Sequence, residues 1–230
     1  MSRIARVAPG GFVYHVWNRA VGRMTIFKTD ADFLAFERIL VEARQRVPIR
    51  ILDYCILSNH WHFVVWPERD GELSAFFRWL TLTHAMRWRV SHNTVGYGPL
   101  YQGRFKSLLV QQDQHLLTLC RYVERNPVTA GLVTRAERWR WGSLWARRAG
   151  TKEQKQLLSP WPVDRPADWI KTVNTALTAT ELDRLSTSLR RCQPYGNDAW
   201  REKIVKSLRL EHTMRDEGRP KKIKPARKEK

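Results

Sequence analysis

The chain has 230 residues, 43% of them hydrophobic, and carries 41 Lys and Arg against 22 Asp and Glu. This apolar content excludes a globally disordered protein. The net charge of +19 predicts a polyanionic partner, with nucleic acid ahead of an acidic membrane; the alternative is a merely soluble basic protein.

Hydrophobic periodicity predicts four strands and three helices in the first 130 residues. The strands are expected at residues 11–18, 49–57, 60–66 and 105–110. The helices are expected from a capping box at Thr29 to Pro48, over residues 72–90, and from a cap at Asp113 to about Asn126. The last helix should end there because Pro127 disfavours helical geometry in the residue before it.

The element order β-α-β-β-α-β, followed by an extra helix, predicts an α+β, ferredoxin-like fold. In this fold two helices cover one face of an antiparallel sheet. The other face is left available, and the extra helix could cover part of it and complete a site there.

Composition changes after Gly150, which divides the chain into residues 1–150 and an extension, residues 151–230. We interpret the polar, proline-containing stretch up to Asp168 as a linker. Two short helices are predicted beyond it, one from a capping box at Thr178 to about Arg191 and one after Asn197. The last 30 residues hold twelve Lys or Arg against five Asp or Glu, and the basic end is expected to be disordered without a partner.

Cysteine usage and the N-terminus indicate the compartment. Cys55, Cys120 and Cys192 are far apart and odd in number, so we expect no disulfide framework and a reducing cytoplasm. Residues 1–10 lack the apolar segment of a signal peptide, and no uncharged stretch is long enough to span a membrane. We therefore expect a cytoplasmic, nucleoid-associated protein.

His60 and His62 form the first candidate site. Residues two apart on a strand point to the same face, and two adjacent imidazoles suit a divalent metal. The alternative is one core histidine beside one surface histidine.

Tyr122 and Asn126 form the second candidate site, because residues four apart lie on one face of a helix. A tyrosine at the edge of a core and a polar residue at a helix end are the alternatives. Two imidazoles and the Asn126 carbonyl would together give a metal three ligands and leave positions open for phosphate oxygens. Tyr122 would then be the nucleophile, but a phenol with a pKa of about 10 needs a base or a positive charge to activate it. The sequence assigns no such group.

Four segments carry a resemblance to a known family. They are SNHWHFVVWP (58–67), GRFKSLLV (103–110), RYVERNPVTAGLV (121–133) and WRWGSLWA (139–146). They resemble the HUH single-tyrosine transposases, in particular the REP-associated tyrosine transposases, a domesticated bacterial group. The resemblance covers about residues 10–150, with H-x-H and Y-x-x-x-N-P in the expected order.

The resemblance implies that residues 1–150 are an HUH catalytic domain. It implies that His60, His62 and Asn126 bind Mg²⁺ or Mn²⁺ and that Tyr122 is the nucleophile. The implied substrate is single-stranded DNA next to an imperfect hairpin, the REP element. Cleavage would leave a 5′-phosphotyrosine and a free 3′-OH. The domesticated branch implies a monomer, whereas some members of the wider family are dimers that exchange the tyrosine helix.

Basic side chains near these motifs are candidates for phosphate contacts, with a solvated charged surface as the alternative. In the first domain they are Arg104, Lys106, Arg121 and Arg125. At the C-terminus, Arg219, Lys221 and Lys222 form a segment similar to minor-groove arms.

Two other functions remain open. A ferredoxin-like sheet in basic surroundings can bind single-stranded DNA or RNA without cutting it. The RNP-type aromatic motif of RNA-recognition modules is not evident, however. A replication initiator or relaxase of the wider HUH class would share the same residues, but the small size and the lack of an attached helicase argue against it.

Overall fold

The computed structural model describes residues 6–215, and its sheet has the predicted topology. The strands are β1 (Val13–Arg19), β2 (Arg50–Ile56), β3 (His60–Trp66) and β4 (Lys106–Val110). They pair antiparallel in the order β2-β3-β1-β4. This order is that of a ferredoxin-like sheet, so the predicted fold class is confirmed.

Two helices pack on one face of the sheet. They are α1 (Asp30–Arg46) and α2 (Glu72–Ser91). The Thr29 capping box is present, since the Asp32 carboxylate accepts hydrogen bonds from the Thr29 amide (3.0 Å) and the Lys28 amide (2.9 Å). Alternate strand residues such as Val16, Trp61 and Phe63 are buried against these helices, as the two-residue period of a strand requires.

The third helix, α3 (Gln114–Thr129), covers the opposite face. Its buried residues Leu116, Leu119 and Val123 share a second core with Leu52 and Val64 of the sheet. The expectation that an extra helix lies over this face is therefore confirmed.

The expected end of α3 near Asn126 is wrong, because the helix continues through Pro127 to Thr129. A proline lacks the N–H that would bond four residues back, but its side chain is buried here. The next bonds are restored, with the Ala130 amide donating to the Asn126 carbonyl at 2.9 Å. Asn126 consequently lies inside the helix, one turn from Tyr122.

The remaining helices are short and follow α3 in the chain. They are α4 (Ser143–Ala149), α5 (Lys152–Gln156), α6 (Trp169–Asn174), α7 (Ala179–Arg191), α8 (Asp198–Leu208) and α9 (Glu211–Met214). Single 3-10 turns lie at Val21–Arg23 and Ala136–Arg138. The predicted helices after Thr178 and Asn197 are both present, with side-chain caps at these residues.

Part of the segment that we interpreted as a linker is structured. Thr151 and Gln154 form a capping box that begins α5, and the Ser159 amide donates to the Ile51 carbonyl at 2.7 Å. The extension thus starts against the edge strand β2. The division at residue 150 stays a prediction.

Three further expectations concern the whole chain. The three cysteines are free. Within residues 6–215, every helix is too short or too polar to cross a membrane. Arg219, Lys221 and Lys222, together with the expected disordered end, lie outside the described residues.

Candidate active site

A cavity of about 530 Å³ opens where β1, β3 and β4 meet α3 and α7. Six residues that were singled out in the sequence line it: His60, His62, Arg104, Lys106, Tyr122 and Asn126. The two predicted motifs therefore meet at one site.

Strand register explains why the histidines face Tyr122. In the pairing of β1 with β3, Arg19 lies opposite His60 and Trp17 lies opposite His62. Lys106 of β4 lies on the other side of Trp17. Because paired residues share a face, these side chains form one polar patch beneath α3. The Tyr122 ring meets the His62 ring edge-on, with 5.8 Å between centroids.

Both candidate metal ligands are neutral imidazoles. Burial lowers the pKa of His60 to about 4, with a further contribution from Arg19. Burial also lowers the pKa of His62 far below its usual value, and the neighbouring His15 adds to the shift. A neutral imidazole keeps one nitrogen lone pair, which is the form that binds a metal.

The hydrogen bonds of the histidines leave one nitrogen of each for a ligand. His60 Nδ1 bonds to Asn59 Oδ1 at 2.6 Å, and an amide oxygen only accepts, so this nitrogen carries the proton. His62 Nδ1 bonds to His15 Nε2 at 2.9 Å. His62 Nε2 is buried and has no partner in the described part of the chain. A buried polar atom of this kind calls for a ligand.

Asn126, which lines the same cavity, offers a third ligand for a divalent ion beside the two histidines. Within residues 6–215, no group of three or more His, Cys, Asp or Glu side chains is placed to hold a metal. The Asn126 amide Nδ2 donates to the Tyr122 carbonyl at 2.9 Å, which leaves Oδ1 free to coordinate. Two nitrogens and one oxygen suit Mn²⁺ and are compatible with Mg²⁺.

Tyr122 is held in its protonated form in this structure. Burial raises the pKa of its phenol, while Asn126 and Arg19 act in the opposite direction. Among the described residues, no Asp or Glu lines the cavity, so no carboxylate there can take the phenol proton.

Cations take the place of carboxylates around the cavity. Arg19, Arg104 and Lys106 line it. None of the three forms an ion pair with another residue of the described chain. Unpaired cations facing one space favour an anionic ligand such as a phosphodiester.

Arg121 and Arg125, which we expected to contact phosphates, do not line the cavity, and that expectation stays a prediction. Arg121 donates to the carbonyls of Thr175 (3.2 Å) and Ala176. Arg125 donates to the carbonyl of Val173 at 3.2 Å. These carbonyls lie at or just beyond the C-terminal end of α6, where cationic side chains satisfy unbonded carbonyls. Both arginines therefore attach the extension to the tyrosine helix.

A buried carboxyl pair also fixes α3. Asp53 of β2 and Glu124 of α3 are both buried, and burial raises the pKa of Glu124 to about 7. The Trp169 indole donates to Glu124 Oε2 at 2.6 Å, and the Ser143 hydroxyl donates to Asp53. The sheet, α3, α4 and α6 are thus joined two residues from Tyr122.

Sequence reasoning did not single out three residues of the site: His15, Trp17 and Arg19. They alternate along β1 on the face that α3 covers. This alternation was visible in the sequence, but it places the three residues next to the histidines only once β1 is paired with β3.

A model of the family described as IS200-like transposases matches residues 11–126, just over half of the chain. The chain belongs to the IS200-like transposase family. The matched range contains His60, His62, Tyr122 and Asn126, and the resemblance to transposases is confirmed. The protein is accordingly a DNA-processing enzyme of this family.

Solved structures add information on the fold. A REP-associated tyrosine transposase bound to a REP hairpin is similar over 78% of this chain and 96% of its own, at 16% identity and a TM-score of 0.54. A putative transposase from Deinococcus radiodurans R1 matches 54% of this chain and 96% of its own, at 15% identity. Its TM-score of 0.39 is too low to indicate a shared fold. A comparison with curated proteins finds no match.

Proposed function

We propose that this IS200-like transposase is a metal-dependent endonuclease and strand transferase for single-stranded DNA. One observation carries the proposal: the Tyr122 ring lies against His62 in a cavity lined by Arg19, Arg104 and Lys106, which form no ion pair within residues 6–215. A nucleophile, metal ligands and phosphate-binding groups are the parts that this chemistry requires.

Tyr122 performs the covalent step. Its hydroxyl oxygen attacks the phosphorus, the bond to the 3′ oxygen breaks, and the electron pair leaves on that oxygen. Mg²⁺ or Mn²⁺ held by His60, His62 and Asn126 would polarise the phosphate and stabilise the departing charge. The resulting 5′-phosphotyrosine stores the bond energy, so attack by a 3′-OH can rejoin strands without ATP.

Arg19 supplies the positive charge that the sequence left unassigned. Arg19 lies opposite His60 in the sheet, and its side chain lines the cavity. A guanidinium beside the phenol stabilises the phenolate as the proton leaves to water, and it also stabilises charge on the phosphate.

REP-type hairpins are the proposed substrate. The similar structure contains a REP hairpin, and the H-x-H and Y-x-x-x-N-P motifs match those of the REP-associated branch. Arg104 and Lys106 would contact the backbone beside the cleavage position. Arg219, Lys221 and Lys222 would extend the contact along the hairpin. We further propose a monomer that acts on chromosomal hairpins in the cytoplasm.

The test uses labelled single-stranded DNA that carries a hairpin, incubated with Mn²⁺ or Mg²⁺ and resolved under denaturing conditions. The wild type should form a covalent adduct. Tyr122→Phe should form none and should bind the hairpin with unchanged affinity. Tyr97→Phe is the matched control, since Tyr97 is 78% exposed on a loop and its loss should leave the adduct intact.

Two outcomes would contradict the proposal. An adduct from Tyr122→Phe would show that another residue is the nucleophile. Hairpin binding by the wild type without any adduct, at any metal concentration, would identify a binding module instead of a nuclease.

A further inference from the structure

We infer that His15 is a positioning residue that holds the His62 imidazole in its metal-binding form. The inference rests on the metal site of the proposed function. It concerns a side chain that is fully buried and hydrogen-bonded to His62 from the neighbouring strand β1.

One hydrogen bond joins the rings of His15 and His62. His15 Nε2 and His62 Nδ1 are 2.9 Å apart, so one of them carries the hydrogen and the other accepts it. The direction of this hydrogen bond decides which nitrogen of His62 carries the proton, so the tautomers of the two rings are coupled.

Only one of the two arrangements leaves His62 able to bind a metal. When His62 Nδ1 donates to His15 Nε2, the His62 Nε2 atom has a lone pair. In the reverse arrangement His62 Nε2 carries the proton and cannot coordinate. His15 is thus the acceptor that the metal-binding tautomer needs, in the way that outer partners fix other metal-bound imidazoles.

The surroundings of His15 hold its ring in place. It stacks on Trp17 at 4.9 Å and lies parallel to His62, with 5.1 Å between centroids and 5° between planes. The Tyr122 ring meets the His15 ring edge-on, with 6.5 Å between centroids. His15 therefore contacts the rings of both the proposed ligand and the proposed nucleophile.

A neutral acceptor suits this cavity better than the carboxylate that often supports a metal-bound histidine. A carboxylate behind His62 would place negative charge beside the phosphate of the substrate. His60 follows the same rule, because its outer partner is the neutral amide of Asn59. Neither support adds negative charge beside Arg19, Arg104 and Lys106.

His15 is not explained by packing alone. Its Nδ1 is buried without a partner among the described residues, which is unfavourable for a residue that only fills the core. An apolar ring should fill the same space at least as well. A core-filling role and a positioning role for His15 therefore predict different effects of His15→Phe.

The experiment measures Mn²⁺ binding to the full chain by electron paramagnetic resonance, without DNA, together with the thermal unfolding midpoint. His15→Phe should weaken Mn²⁺ binding by about 10–100-fold and leave the midpoint unchanged or raised. His15→Gln, whose side-chain oxygen can accept from His62 Nδ1, should retain most of the affinity. His84→Gln, on the opposite face of the sheet, is the control and should bind Mn²⁺ normally.

His62→Ala separates this inference from the proposed function. Loss of Mn²⁺ binding in His62→Ala but not in His15→Phe would overturn the role of His15 alone. Unchanged binding in His62→Ala would overturn the metal site itself, and the role of His15 with it. If His15→Phe does not fold, equal affinity in His15→Leu or a tenfold loss in His15→Gln would also contradict the inference.

Discussion

Two buried histidines on opposite faces of the sheet allow a core imidazole to be compared with a proposed metal ligand. His84 of α2 and His62 of β3 are 2% and 4% exposed. Burial lowers the pKa of both, that of His84 to about 3. Neither burial nor pKa distinguishes them.

Their partners do distinguish them. His84 Nδ1 bonds to the Tyr101 hydroxyl at 2.7 Å, and that hydroxyl accepts from the Trp61 indole at 3.1 Å. The network closes within the core. His62 bonds only to another histidine, and its Nε2 has no partner in the described chain. An unsatisfied buried polar atom beside a cavity is thus a better indicator of function here than a shifted pKa.

Alanine substitutions of the two histidines give the strongest test of this comparison, because one should affect cleavage and the other should affect stability. His62→Ala should lower single-turnover cleavage by about 10³-fold, because a metal contributes several kcal/mol to the transition state. His84→Ala should keep cleavage by the folded protein but lower the free energy of unfolding by about 2–4 kcal/mol, through a cavity and an unpaired Tyr101 hydroxyl. Chemical denaturation measures the second effect. Loss of cleavage in folded His84→Ala would remove the distinction.

The sequence predicted the parts of the site that depend on local spacing. His60 and His62 share a strand face, and Tyr122 and Asn126 share a helix face, so two short motifs were sufficient. Arg19 and His15 acquire their roles only through the pairing of β1 with β3, which joins residues over 40 positions apart. No spacing within one segment carries that information.

The hydrogen bonds of Arg121 and Arg125 to backbone carbonyls in and after α6 were not predicted from the sequence, for a related reason. Their charge and helical position suggested phosphate contacts, but the last turn of α6 packs beside α3 and presents its carbonyls to them. This contact is tertiary and involves the extension, whose fold the sequence described least well. The continuation of α3 through Pro127 was also missed, because burial of the proline ring is a tertiary effect that outweighs the loss of one hydrogen bond.

Arg19 sharpens the comparison between the two faces, because it lines the cavity on the α3 face together with the proposed nucleophile Tyr122. Arg19→Gln should slow formation of the covalent adduct by about 10²-fold, because an oriented charge acts mainly on the transition state. Arg19→Lys should restore part of the rate. Arg23→Gln is the matched control, since Arg23 is exposed and does not line the cavity. Equal rates in Arg19→Gln and wild type would leave Tyr122 without an activating residue.

The smallest predicted effect distinguishes two kinds of basic residue on the same face. Lys106 is exposed at the cavity, whereas the Arg121 side chain is 14% exposed and paired with Glu181 at 3.4 Å. Each phosphate contact to a single strand contributes about 0.7 to the slope of log K against log salt. Lys106→Gln should therefore reduce the slope for hairpin binding by about that amount and leave stability unchanged. Arg121→Gln should leave the slope unchanged and lower the free energy of unfolding by about 1–3 kcal/mol, because it removes charged hydrogen bonds to backbone carbonyls. An equal reduction of the slope in both variants would mean that Arg121 leaves α6 to contact DNA, and the extension would then have to move when the substrate binds.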